Sequence, residues 1–306
     1  MIEKSPLCPF CREGRSEIYL KLPDRFQPDG ELYHIYSCVS CGLIFLHPQP
    51  SESETGGHYS DAGYDPFLEV EGARSRSQQI YAWVKPWALK WKAKLIARFL
   101  PQPGSILDVG AGTGAFLSMM KAKGWETLGI EKDENAADYA RKKFKLEIIT
   151  DDLADSSSLN RPLDAVTFWH SLEHIHRPKE NLAVVRENLK PGGFLFIALP
   201  NPDSLDARFY KRHWVGWDAP RHLWHFKPEV MANLLNEFGF NLRKVVPMPL
   251  DPFYNCLQSE FLIPGGGKLG RYALRLPMMA KLSFINGLLC PLKASSVVYV
   301  SNLEQV

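Results

Sequence analysis

The chain has 306 residues, of which 45% are hydrophobic and 23% charged, with a formal net charge of +2. This composition excludes wholesale disorder, and so small a net charge selects no class of partner. Nothing approaches the roughly 18–20 apolar residues of a membrane-spanning helix. The longest ambiguous run, Leu282–Cys290, is short and contains Asn286. The first residues carry no apolar leader, so a soluble, cytoplasmic protein is expected.

Two cysteine pairs open the chain, Cys8-Pro-Phe-Cys11 and Cys38-Val-Ser-Cys41, and they bracket predicted strands at 17–22 and 32–37. Each pair presents two thiolates from one tight turn, and Gly42 lets the second turn take a positive φ. Four soft ligands suit one tetrahedral zinc ion, and a full set of thiolates leaves no open position, which makes the site structural. Cys256 and Cys290 stand alone and read as small buried apolar residues.

Residues 49–72, rich in Ser, Gly, Glu and Asp, read as a linker or as a flap carrying His58, Tyr59 and Tyr64. Residues 73–100 follow helical spacing through Ile80, Trp83, Trp87, Trp91, Leu95 and Phe99, with a break or kink expected at Pro86. This stripe is expected to cover the main domain. Seven Lys or Arg residues and no acid lie between Ala73 and Phe99, so the other face is either solvated or meets anionic lipid or nucleic acid.

From residue 104, strands alternate with helices. Strands are predicted at 105–109, 127–131, 147–150, 165–170 and 194–199, and two later ones at 241–246 and 296–300 complete seven. Short apolar strands separated by helices imply a parallel α/β sheet with helices on both faces.

The first of these strands runs into Gly110-Ala111-Gly112-Thr113-Gly114. A glycine-rich turn between strand and helix lets a ligand approach the backbone closely. Asp108, just before it, suits a cationic ammonium group and would repel a pyrophosphate. Glu131, at the end of the second strand, can accept hydrogen bonds from both hydroxyls of a ribose. Asp151 and Asp152 end the third, where a carboxylate can accept from an adenine amino group while Leu153 packs on the ring.

These residues carry a resemblance. Leu107–Gly114 resembles the first motif of class I S-adenosylmethionine-dependent methyltransferases, and Gly129-Ile130-Glu131 is similar to their ribose-binding acid. Asp164–Ile175 resembles the fourth-strand motif of the branch related to ubiquinone-biosynthesis methyltransferases, and Lys190-Pro191-Gly192-Gly193 the turn before strand five. The resemblance spans about residues 100–250. The four-cysteine unit is similar to those of bacterial sugar methyltransferases, which carry a large extra C-terminal domain not seen here, and of some ribosomal-RNA guanine methyltransferases. The resemblance implies a Rossmann-like seven-stranded sheet with S-adenosylmethionine at Asp108, Gly110, Gly112, Gly114, Glu131, Asp151, Asp152, Leu153 and His170. The expected units are a zinc-ribbon-like module at 1–48, a linker and basic helix at 49–100, and a methyltransferase domain at 101–306 with insertions at 204–227 and 254–293.

Methyl transfer from a sulfonium needs alignment above all, and an oxygen acceptor adds the need for a base. His170, at the end of the fourth strand, is the first candidate, followed by His174, His222 and His225. Residues 204–227 combine Trp214, Trp217, Trp224 and Phe226 with Arg208, Lys211, Arg212 and Arg221, and are expected to shape an acceptor pocket in which Arg221 holds an anionic group. Residues 264–293 carry five Lys or Arg and no acid among Leu, Met and Phe, as a helical cover or an anionic-membrane contact would. The expected acceptor is a sugar, glycan precursor or lipid-linked intermediate methylated on oxygen or carbon. The alternatives are RNA base methylation, which would show steep salt dependence, and a non-catalytic zinc-dependent interaction protein, which would bind no cofactor.

Overall fold

The computed structural model describes residues 5–12, 15–59, 76–155, 159, 161–264 and 269–303, and only the backbone at residues 59, 76–83 and 269–274. Tyr64 and most of the expected flap lie outside the described residues, as do the side chains of Tyr59, Ile80 and Trp83.

The N-terminal part forms strands β1 (Ser16–Pro23), β2 (Leu32–Cys38) and β3 (Ile44–Leu46), followed by the short helix α1 (Glu52–Thr55). Helix α2 (Arg76–Phe99) runs unbroken through Pro86. The main unit then alternates β4 (Ser105–Val109), α3 (Ala115–Ala122), β5 (Glu126–Ile130), α4 (Glu134–Phe144), β6 (Glu147–Ile149), β7 (Leu163–Trp169), α5 (Pro178–Asn188) and β8 (Leu189–Pro200). It continues with α6 (Leu205–Tyr210), β9 (Trp224–His225), α7 (Pro228–Glu237), β10 (Phe240–Pro247), α8 (Asp251–Phe261), α9 (Leu269–Leu289) and β11 (Ser296–Leu303).

The seven-stranded sheet has the order β10-β11-β8-β7-β4-β5-β6, with β11 antiparallel to both its neighbours. The chain works outward from β4 through β5 and β6, then restarts on the other side with β7. That reversal opens a crevice at the carboxyl ends of β4 and β7, where open α/β sheets bind ligands.

Residues alternate across the sheet. Leu195, Ile197, Leu199, Val297 and Tyr299 belong to one apolar cluster, and Phe196, Ala198, Val298 and Val300 to the other. Leu95 and Ile96 of α2 join the second cluster, and Phe99 packs on Phe194 and Phe196 with ring centroids 5.2 and 6.0 Å apart. The expected tryptophan stripe is therefore shorter than its spacing suggested, because Trp87 is 69% exposed.

The first cluster extends from the N-terminal strands into later segments of the chain. It joins Leu22, Ile35 and Phe45 to Trp214, Trp224, Phe226 and Leu199 in one core. The N-terminal sheet has the order β1-β2-β3-β9, so its fourth strand comes from the 204–227 segment, with Ile44 opposite His225 and Phe45 opposite Trp224. Cys256 is buried as expected, whereas Cys290 is exposed.

Candidate active site and metal centre

Around the crevice, the glycine-rich turn has φ of +77° at Gly110, +54° at Gly112 and +76° at Gly114, conformations that favour glycine. A methyl group added at Gly110 would lie 2.5 Å from Ser171 Cβ, and one at Gly114 would lie 2.6 Å from Leu146 Cδ1. At Gly112 it would meet nothing within 4 Å, so this stretch of backbone faces open space.

The acids surround that opening. Asp108 is buried and accepts a 2.6 Å hydrogen bond from Thr167 Oγ1, and burial raises its pKa to about 7. Glu131 takes one backbone N–H on each carboxylate oxygen, from Gly112 at 2.6 Å and Asp133 at 2.9 Å, and burial raises its pKa as well. Each oxygen keeps a second lone pair. Asp152 is occupied within the protein, contacting Lys132 Nζ at 2.8 Å, Ala154 N at 2.9 Å and Asn181 Nδ2 at 3.1 Å. Asp151 is exposed and Leu153 is buried.

His170, with φ +56°, follows β7. Its Nε2 lies 2.9 Å from Asp251 Oδ2 at the start of α8, and its Nδ1 lies 3.6 Å from Glu173 Oε1. Burial disfavours the imidazolium, but the two carboxylates outweigh it and raise the pKa to about 9. His174 Nδ1 donates to the Arg221 carbonyl at 2.9 Å and His222 Nδ1 to the Gly216 carbonyl at 2.8 Å, with the two rings edge-to-face at 4.6 Å. Burial and His222 lower the pKa of His174 to about 4. His225 is buried in β9 beside Trp217.

In the N-terminal part, Cys8 Sγ lies 3.6 Å from Cys41 Sγ, and Cys11 Sγ lies 3.6 Å from Cys38 Sγ, with all four sulfurs within 4.8 Å of one another. A tetrahedral ion with zinc–sulfur bonds of ~2.3 Å needs sulfurs roughly 3.8 Å apart, so the set fits zinc. Gly42 has φ +75°, and Cys41 N points at Cys38 Sγ at 3.5 Å.

A family profile described as a methyltransferase domain matches residues 87–245. The chain belongs to the methyltransferase domain family. Its activity is S-adenosylmethionine-dependent methyl transfer. It is similar to the ubiquinone biosynthesis O-methyltransferase of Thiobacillus denitrificans, 27% identical over 58% of this chain and 80% of that one. The enzyme of the same name from Xanthomonas axonopodis pv. citri is 26% identical over 52% and 72%. Among solved structures, magnesium protoporphyrin IX methyltransferase from Synechocystis PCC 6803 with bound SAH has a TM-score of 0.55 at 13% identity, covering 83% of this chain and 100% of that one. The [4+2]-cyclase SpnF has a TM-score of 0.51 at 15% identity, covering 85% and 99%. These two likenesses concern the fold.

In this methyltransferase, two residues expected at the acceptor have charged partners within the protein. His170 lies between Asp251 and Glu173, whose carboxylates favour the imidazolium and raise its pKa to about 9. Arg221 offers no free fork to an anion. It is fully buried, donating to Asp24 at 2.7 and 3.0 Å, to Asp218 at 2.7 and 3.0 Å and to the His58 carbonyl at 3.2 Å. Arg25 completes the group 3.0 Å from Asp218. Arg221 thus clasps the loop after β1 to the segment before β9.

The surrounding aromatics are core as well. Trp214, Trp217 and Trp224 are buried, with their indole N–H groups bonded to Asp206, the Lys211 carbonyl and the Ile175 carbonyl. Arg208, Lys211 and Arg212 point to solvent.

Sequence reasoning missed Lys92, Glu173 and Asp251 as residues of this site. Lys92, assigned to a solvated face of α2, turns inward with Nζ 4.7 Å over the Trp169 ring. Burial lowers its pKa to about 8 against the pull of Asp108 and Asp251. Asp251 opens a helix with proline next to it, a sequence that reads as ordinary helix initiation.

Proposed function

We propose that the protein methylates an oxygen or carbon of a lipid-linked small-molecule acceptor at a membrane surface. Bound S-adenosylmethionine supplies a methyl group already activated on sulfur. Asp108 and Lys92 offer opposite charges matched to the ammonium and carboxylate of its amino-acid end. Glu131 offers its spare lone pairs to the ribose hydroxyls, Asp151 an acceptor for the adenine amino group, and Leu153 an apolar contact. Cys8, Cys11, Cys38 and Cys41 would hold one structural zinc.

The observation that carries the choice of acceptor is the outer face of α9. Met278, Leu282, Ile285 and Leu289 follow helical spacing and are 53%, 46%, 50% and 81% exposed, with Leu288 and Leu292 beside them. Lys281 is exposed among them. Helix α8, which packs on α9, begins at Asp251 against His170, so one helix links α9 to the crevice. The related proteins named for ubiquinone biosynthesis support the same class of acceptor. Cosedimentation with vesicles containing anionic lipid should retain the protein, and Leu282→Glu with Leu289→Glu should abolish retention. A screen of polyprenyl-linked intermediates, sugar nucleotides and RNA then reads methyl transfer directly. Turnover confined to water-soluble sugars or RNA would overturn the reading.

A further inference from the structure

Among the described residues, two groups place three or more metal-binding side chains together, and the second has nothing to do with the thiols. Glu173, His174 and His222 bring one ligand atom each within 4.8 Å of one another. We infer that they form a divalent-metal site with two imidazole nitrogens and one carboxylate, separate from the four-cysteine centre.

The imidazoles are already oriented. Each directs Nδ1 at a backbone carbonyl, which can only accept, so Nδ1 carries the proton and the lone pair sits on Nε2. A backbone acceptor on the far nitrogen is the arrangement that fixes the tautomer of metal-binding histidines. Glu173 is the independent observation. Its side chain is 1% exposed, and neither carboxylate oxygen has a hydrogen-bond partner. The His170 ring comes no closer than 3.6 Å, to Oε1. Buried carboxylates are ordinarily bonded on every side. A cation on Oε2 would satisfy Glu173 while leaving His170 on Oε1.

Two nitrogens and an oxygen favour zinc or a neighbouring transition metal over magnesium or calcium. Metal–ligand bonds of ~2.0–2.1 Å in a tetrahedron place ligand atoms roughly 3.3 Å apart, so the three side chains must close by up to about 1.5 Å. Three protein ligands leave the fourth position to water or an acceptor oxygen. The ion would also tie β7 to the segment before β9, where Leu223 N already donates to the Glu173 carbonyl at 2.8 Å.

The test uses the full chain with its thiol centre loaded with zinc. Elemental analysis should find a second divalent equivalent, or Co2+ should add one equivalent with the weak ligand-field bands of a nitrogen–oxygen site and no thiolate charge-transfer band. Glu173→Gln, which preserves volume, and His222→Ala should each weaken that equivalent at least about 100-fold. If His222→Ala does not fold, Glu173→Gln decides. Cobalt appearing only with thiolate charge transfer, or an unchanged second equivalent in Glu173→Gln, would overturn the assignment. Neither readout depends on methyl transfer.

Discussion

Asp24→Asn tests the clasp directly. The substitution keeps the shape of the side chain but turns an amide toward the Arg221 fork, leaving Arg25 and Arg221 with Asp218 alone. The group then carries a net positive charge inside a protein region where Arg221 is 0% and Asp24 3% exposed. Breaking a buried pair by removing one partner costs about 3–5 kcal/mol, and the remaining 2.7 Å contact with Asp218 argues for the lower end, ~3 kcal/mol. At roughly 2–4 °C per kcal/mol for a chain of this order, Tm should fall by about 6–12 °C. Urea unfolding followed by fluorescence is suited to the measurement, since Trp214, Trp217 and Trp224 are buried in the core that the N-terminal strands share. The midpoint should move while the slope m stays constant. Replacing both partners, as Asp24→Leu with Arg221→Met, should cost less than the two single changes summed. A loss under about 1 kcal/mol, or strict additivity in the cycle, would show that the clasp does not join the two parts.

Three further outcomes concern the cofactor crevice. Glu131→Ala should weaken S-adenosylmethionine binding by about 1–3 kcal/mol in calorimetry, because it removes an acceptor already anchored by two amides. Gly112→Ala should lose cofactor affinity with only ~1 kcal/mol of stability, since the added methyl group meets open space, whereas Gly114→Ala should lose more stability against Leu146 and Ala140. Comparing Tm with Kd in the two variants checks the contrast. Asp108 predicts a pH dependence. Its folded pKa, near 7, is above the ordinary carboxyl value, so its ionisation removes stability progressively as pH rises through about 4–7. An ammonium ligand draws the ionised form, so Kd should rise by up to roughly tenfold per pH unit below about 7, and Asp108→Asn should flatten the profile.

The sequence made the crevice legible because its determinants are local. A glycine run between a strand and a helix, and acids at successive strand ends, need only a few adjacent residues to be read. The paired cysteines are legible for the same reason. What escaped was set by partners distant in the chain. Asp24 and Arg221 are 197 positions apart, and neither residue carries a local sign that it will be buried with the other. His170 was read as a base from its position at a strand end, and its 2.9 Å partner Asp251 comes from the start of α8, far along the chain. Lys92 sits on a helix face that composition assigns to solvent, yet Trp169 and two acids draw it inward. Strand β9 has two residues, too few for any alternation to register.

That two-residue strand has a consequence for synthesis. As the chain leaves the ribosome, β1, β2 and β3 emerge early and can pair at once, but their sheet keeps an open edge along Ile44 and Phe45 until Trp224 and His225 arrive. Almost the whole parallel sheet is made in that interval. An exposed apolar edge is a template for pairing with other chains. A fragment ending after the cysteine unit should therefore aggregate even when supplied with metal, and the same unit should become well behaved only once the chain extends past residue 226.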